Sequence, residues 1–428
     1  MAEHGGDSEA NADPLQDLVP SIEGLYLVRD TFFPRDPAEK RARLDKAAKD
    51  ILLLLDSISL EHRRQLSRRA FWEYSRGKVL DVGQDYCKEA EDHLSKAIKL
   101  DPSLVDAWSC LGNCYWKKGD QEALISAKRC FIHGLRKGPN KRILQQLSML
   151  ERRLARGSSN EVETVEESIM HAKQAVELDV KDGQSWYILG NAYFTSFSTS
   201  GAWDRNKLLQ ALKAYQIAEK DAVASANPDL HYNSAAVYQY LEDFERALKS
   251  FEAAGLRDPG LHADEEINKL VKLLAKLEDF SLNKGRVKPK KFAAILASLN
   301  AETVQTPSKG VTLRNLKEGV NKGVAVNCKV LVSVPHAGSL PLFYVVADSE
   351  ESCFALSVYS VRDTLIKESD SVTLLEPLFK NVAIHWQTKI YSFKSVRIDH
   401  PQQLLLNDCP VSVQDAVCSM VHADHVPS

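Results

Sequence analysis

The stretch HYNSAAVYQYLEDFERALKSFEAAGLRDP, residues 231–259, decides the fold. Tyr238 stands in its first half, and Ala247, Phe251, Ala254 and Pro259 follow at the spacing of a repeated helix pair. Small residues let two helices approach and an aromatic fills the space beside them. A proline then ends the second helix, because it has no backbone N–H to continue the ladder. The same pattern extends in the N-terminal direction. Trp108-x-x-Leu111-Gly112-x-x-Tyr115 opens a copy that closes at Pro139. Trp186-x-x-Leu189-Gly190-x-x-Tyr193 opens another, continued by Ala211, Tyr215 and Ala218 after an insertion around Ser196–Asn206. Second-helix halves without clear first halves appear at Ala90, Leu94, Ala97 and Pro102, and at Ser168, Ala172 and Ala175.

This spacing is that of tetratricopeptide repeats, about five of them. A single helix pair cannot bury its apolar face alone, so the pairs are expected to stack into an all-α superhelix with a concave groove. Terminal repeats need caps. Leu15–Phe33 and Lys40–Trp72 read as helices capping the first repeat, and Asp264–Leu282, with Ile267, Leu270, Leu273, Leu274 and Leu277, caps the last. From about Val311 the period changes to β-branched runs punctuated by Gly, Pro, Asp and Ser. The expected strands are Val324–Val334, Leu342–Ala347, Cys353–Tyr359, Ser371–Leu374 with Ala383–Trp386, and Tyr391–Ile398, with a short helix near Arg362–Lys367. Five strands with a helix there fit a β-barrel of the oligonucleotide/oligosaccharide-binding (OB) type. The expected organisation is multidomain: a disordered start at 1–14, the helical array at 15–282, a basic linker with a short helix at 283–310, the barrel at 311–408 and a tail at 409–428.

A chain of 428 residues with 44% hydrophobic and 26% charged residues has the composition of soluble globular domains. The formal net charge of −3 gives no overall attraction to nucleic acid or to an anionic membrane, so recognition must come from local patches. No apolar run reaches the roughly 18–20 residues of a membrane span. The polar, acidic start does not read as a targeting signal, and the expected compartment is the cytoplasm, with the nucleus as a second. Eight cysteines form no Cys-x-x-Cys pair. Cys110 and Cys114 lie one helical turn apart, and the expectation is buried thiols rather than a metal site. No phosphate loop, metalloprotease helix or nucleophile elbow occurs, so no catalytic residue, cofactor or metal is assigned and a non-enzymatic adaptor is expected.

The informative charges are few. Lys284, Arg286, Lys288, Lys290 and Lys291 place five cations within eight residues, interrupted by Gly285 and Pro289. Such a strip serves either as a solvated hinge or as a phosphate contact whose strength falls with salt. Arg152 offers a planar fork suited to a ligand carboxylate. Asp229, in Asn227-Pro228-Asp229, could instead cap a helix start.

The order of repeats, basic linker and barrel, with the stretches Ala107–Asp120, Asp182–Asn191 and Ser225–His231, resembles the tetratricopeptide repeat protein 5 family over about Leu15–Leu406. The resemblance implies a specificity factor of tubulin autoregulation. Members of that family bind the Met-Arg-Glu start of nascent tubulin at the ribosome, near the exit tunnel, and mark the translating mRNA for decay through an adaptor and deadenylase machinery. On this resemblance the groove residues correspond to Arg152 and Asp229, and the ribosome-contacting lysines to Lys288 and Lys290, within the strip that also holds Lys284, Arg286 and Lys291. A family groove glutamate falls at Ala263, with Asp264 beside it as a substitute. Nuclear roles as a scaffold for transcription coactivators belong to the same resemblance. A monomer without membrane association is expected.

Two rivals stand beside this reading. A chaperone cofactor would line its groove with asparagines such as Asn113 and Asn191 to hold a carboxyl-terminal tail, although Asp229 would repel an all-anionic ligand. A nucleic-acid barrel would need exposed aromatics among Phe343, Tyr344, Phe354, Tyr359, Tyr391 and Phe393, interleaved with cations.

Overall fold

The computed structural model describes residues 13–201, 204–301, 308–337, 341–359, 361–412 and 415–416. The expected disordered start lies outside these residues except for its last two, and the tail does so from residue 417 onward. The chain divides into two compact units, and the boundary runs through continuous helices. Unit 1 comprises 1–192, 214–230 and 257–260, and unit 2 comprises 193–213, 231–256 and 261–428.

Unit 1 begins with α1 (Pro14–Asp17), α2 (Val19–Thr31) and α3 (Pro37–Ser57). The helix pairs follow: α4 (Leu66–Leu80) with α5 (Lys88–Leu100), α6 (Val105–Lys118) with α7 (Gln121–Leu135), and α8 (Lys141–Ala155) with α9 (Glu161–Leu178). Two further pairs, α10 (Gly183–Thr199) with α11 (Arg205–Ala218) and, after the single turn α12 (Ala222–Ser225), α13 (Pro228–Tyr240) with α14 (Phe244–Arg257), contribute residues to both units. Helix starts are fixed by side-chain caps: Asp120 Oδ1 accepts from Ala123 N–H at 2.8 Å, and Asn140 Oδ1 from Ile143 N–H at 3.0 Å. Each pair closes over a small residue. A Cβ at Gly112 would stand 2.3 Å from the Phe131 ring, and one at Gly190 would stand 2.4 Å from Tyr215. The expected cap Lys40–Trp72 is two helices. Its second part belongs to α4, the first half of a repeat, where Gly77 takes the same notch against Leu94.

In unit 2, α15 (Ala263–Leu282) and α16 (Pro289–Ala301) precede the strands. These are β1 (Lys309–Val311), β2 (Gly319–Val320), β3 (Val324–Ser333), β4 (Leu342–Asp348), β5 (Cys353–Val358), β6 (Ser371–Leu375), β7 (Leu378–Trp386), β8 (Lys389–Ile398), β9 (Leu404–Leu406) and β10 (Cys409–Pro410). The sheet runs β6-β3-β4-β5-β8-β7, with β5 and β8 parallel and the other pairs in this run antiparallel. β6 and β7 are one bent strand. At the bend Glu376 adopts φ +48° before Pro377, so the first half pairs with β3 and the second with β8. This closes the five-stranded barrel around Val326, Val330, Tyr344, Phe354, Leu356, Val372 and Val396. The short helix expected near Arg362–Lys367 is instead a turn, in which Leu365 N–H donates to Arg362 O at 3.2 Å.

The outer face of β4, β5, β7 and β8 is apolar as well. Phe343, Val345, Ala355, Val382, Ile384, Tyr391 and Phe393 join Leu270, Leu273, Leu274 and Leu277 of α15 and Phe292, Ile295 and Leu296 of α16 in one core. The α13–α14 corner is tied to the barrel by a buried polar knot. Arg397 Nη1 donates to Tyr240 O at 2.5 Å and to the Tyr359 hydroxyl at 3.1 Å, and Tyr359 donates to Glu242 Oε1 at 3.0 Å. Arg397 Nε donates to Asp399 at 2.6 Å, and its guanidinium lies 3.8 Å over the Tyr359 ring.

Candidate functional site

Arg152 is set by the geometry of α8. Lys141, Gln145 and Arg152 recur at four and seven residues and therefore share one helix face. That face meets the start of α10. Gln145 Nε2 donates to Asp182 Oδ2 and to Ser185 Oγ, each at 2.8 Å, and Lys141 pairs with Asp182 at 3.2 Å. Asp182 in turn caps α10, accepting from Ser185 N–H at 2.9 Å. The adjoining face of α8 is tied down independently. Glu151 is fully buried between Lys128 of α7, at 3.1 Å, and His171 of α9, at 2.8 Å. The helix that carries Arg152 is thus tied down on two faces.

Arg152 as a residue is only 8% exposed, its Nε has no hydrogen-bond acceptor, and no carboxylate pairs with it among the described residues. Burial pushes its pKa down. Tyr187 and Tyr215 partly offset this, and Arg156 adds to it. The Tyr215 ring is held in the notch of Gly190, and its hydroxyl donates to Asn191 Oδ1 at 2.7 Å. A buried cation without its anion is costly unless a ligand brings one. A separate cleft of about 490 Å³, lined in part by Lys128, Ile132, Glu151, Met170 and His171, does not include Arg152.

Asp229 lies in the first turn of α13, half-buried. The capping role open to it from sequence is filled by Asn227, whose Oδ1 accepts from Asp229 N–H at 3.0 Å. Its carboxylate therefore complements the positive end of the helix without being the cap. Both Arg152 and Asp229 stand on first helices of their pairs, and no ion pair joins them among the described residues. Asp264 is exposed at the start of α15, in unit 2, beside Glu265 and Glu266, whereas Ala263 is buried against Phe251 and Leu261.

The basic strip divides in two. Lys284 pairs with Glu351 at 2.8 Å and Arg286 with Asp279 at 2.7 Å. Lys284, Gly285 and Arg286 all have positive φ, a strained run that fixes the path from α15 to α16. Lys288, Lys290 and Lys291 are exposed and have no ion pair among the described residues. They crowd the start of α16, where Phe292 N–H donates to Lys288 O at 2.9 Å. Cations at that end add to the helix dipole instead of neutralising it, so positive potential is concentrated there.

The aromatics proposed for a nucleic-acid platform are all inside. Phe343, Tyr344, Phe354, Tyr359, Tyr391 and Phe393 are each no more than 7% exposed. Of the clamp asparagines, Asn191 is engaged by Tyr215. Cys110 and Cys114 are buried thiols, pushed up to about 11 and about 12 by desolvation. The described residues hold no group of three or more potential metal ligands, and no described helix is long and apolar enough to cross a membrane.

The family model described as "Tetratricopeptide repeat protein 5 OB fold domain" matches residues 307–420. Tetratricopeptide repeat protein 5 of Mus musculus is 36% identical over 422 residues, covering 92% of this chain and 93% of the relative. The Homo sapiens protein of that name is 36% identical over 429 residues, covering 94% and 95%. The chain belongs to the tetratricopeptide repeat protein 5 family. Among solved structures, the tetratricopeptide protein YrrB, described as having an unusual peptide-binding site, aligns at 24% identity with a TM-score of 0.32, over 46% of this chain and 92% of its own. Family membership gives the chain the protein-binding adaptor role of a repeat array joined to an OB barrel.

Proposed function

We propose that this chain is the specificity factor of tubulin autoregulation. It holds the Met-Arg-Glu start of nascent tubulin in the groove of its repeats, docks on ribosomal RNA phosphates near the exit tunnel, and directs the translating mRNA to an adaptor and deadenylase machinery. The observation that carries the reading is Arg152, a buried guanidinium without an anion. A ligand glutamate would supply the missing charge, and Asp229, at a helix start, would take the ligand arginine. The three lysines at the start of α16 support a phosphate contact, and their potential is unneutralised by neighbours. The site of action on this reading is the cytoplasm, with the nucleus as a second location. The nucleic-acid barrel is disfavoured because its candidate stacking residues are buried.

The test is a fluorescence titration with a peptide beginning Met-Arg-Glu and with its Met-Arg-Gln twin. The expected result is at least tenfold tighter binding of the glutamate peptide. Equal affinities would reject Arg152 as the carboxylate receptor.

A further inference from the structure

The corner between α3 and α4 lies outside the peptide site, and it combines two features seldom left exposed together. Leu53 and Leu54, on the outer side of α3, are 60% and 50% exposed, Leu60 in the turn is 79% exposed, and Leu66 at the start of α4 is 66% exposed. Monomeric proteins seldom expose adjoining large aliphatic side chains without a partner. The corner is also well fixed. Trp72 Nε1 donates to Leu55 O at 2.9 Å, Arg76 pairs with Asp56 at 2.5 Å, and Arg63 donates to Ile58 O while stacking 4.4 Å over the Trp72 ring. Leu66 is six residues before Trp72, about 9 Å along the helix, so the turn leucine and the α4 leucine lie at the same end of the hairpin.

The turn and the start of α4 are predominantly positive. Residues 59–69 carry four arginines against one glutamate. Arg64 meets that glutamate, Glu61, only at 3.6 Å with both side chains about four-fifths exposed, and Arg69 is exposed without an ion pair among the described residues. Gln65 at the N-cap of α4 makes no side-chain capping bond, and the first turn holds no acidic residue. Orphan N–H groups, the helix dipole and the arginines therefore all favour an incoming carboxylate.

We propose that the α3–α4 corner is a docking surface for an acidic amphipathic helix of a partner protein. Its apolar side chains would cover the four leucines, and its carboxylates would meet Arg64, Arg69 and the start of α4. RNA fits less well, since aliphatic leucines offer bases nothing to stack on. A flat anionic membrane would also press against Asp50 and Asp56 on α3, whereas a narrow helix can seat its carboxylates over Arg64, Arg69 and the start of α4. A second copy would bring like charges face to face.

The test pans a library of random 16-residue peptides against the full chain, then measures an enriched peptide by fluorescence anisotropy. Enrichment of sequences with apolar residues at three- and four-residue spacing and an excess of Asp and Glu is expected. Binding should weaken at least tenfold in Leu60→Ser/Leu66→Ser and in Arg64→Glu/Arg69→Glu. These side chains are exposed, and unchanged melting curves would show that the variants fold. Met-Arg-Glu peptide affinity should stay unchanged in both variants, which separates this surface from the groove. No enrichment, enrichment of basic or uncharged sequences, or equal binding by the variants would overturn the proposal. So would leucine-dependent binding to phosphatidylserine vesicles in place of peptide, or leucine-dependent self-association in sedimentation.

Discussion

Replacing Arg152 by Met separates binding from stability more cleanly than any other single change. Arg152 is nine-tenths buried, and among the described residues it lacks both an acceptor for Nε and a carboxylate partner. Its pKa is depressed by burial. For a base, a depressed folded pKa means that the charged form is penalised by folding. The penalty applies at every pH below that pKa, and hence at neutral pH. Met has a similar length and no charge to desolvate. The ligand-free variant is therefore expected to gain about 1 kcal/mol, or about 2–4 °C in melting temperature for a unit of this size. Binding moves the other way. Loss of one partner from a desolvated, hydrogen-bonded charge pair costs about 2–5 kcal/mol, which corresponds to about 30-fold to about 4,000-fold in Kd. Differential scanning fluorimetry without ligand, together with peptide titration, reads both. A destabilised variant that still binds the Met-Arg-Glu peptide normally would refute the reasoning, because Arg152 would then be a structural residue.

Three other outcomes are expected. Lys288→Glu/Lys290→Glu should abolish co-sedimentation with ribosomes while peptide affinity stays within twofold, since these lysines are exposed and make no ion pair among the described residues. Gly190→Ala should drive a Cβ to 2.4 Å from the Tyr215 ring, costing about 1–3 kcal/mol by chemical denaturation, and should also weaken peptide binding by displacing a wall of the Arg152 site. Arg397→Met should leave Glu242 buried without its cation and lower stability by about 3–5 kcal/mol. Hydrogen exchange at the α13–α14 corner would localise the loss.

Much of this architecture was legible because packing leaves periodic marks. The Trp-x-x-Leu-Gly stretches at 108 and 186 read as first helices because a glycine and a large neighbour must coincide wherever two helices touch. α4 escaped that reading because Leu94 takes the place of an aromatic opposite Gly77. α8 escaped it because two fully buried serines, Ser148 and Ser168, meet at 3.5 Å in place of a glycine and a ring. The bent fourth barrel strand showed in the sequence as two runs. What joins them, a positive φ at Glu376 before a proline, has no distinctive residue signal. At the candidate site, residue type alone favoured Arg152, whereas its isolation depends on where every acidic side chain lies, a property of three-dimensional packing. The role of Asn227 as the cap in place of Asp229 is a two-residue difference that propensity cannot separate. The burial of the barrel's outer aromatics against α15 and α16 was hidden for a similar reason. Alternation marks a strand as two-sided but does not tell which partner covers the second side.

The central claim is tested most directly by capturing the protein from a translating lysate and sequencing the mRNAs on the ribosomes that accompany it. Tubulin messages should be enriched with the native chain and return to background with Arg152→Met. Ribosomes captured without tubulin enrichment, or tubulin enrichment that persists in that variant, would contradict the account.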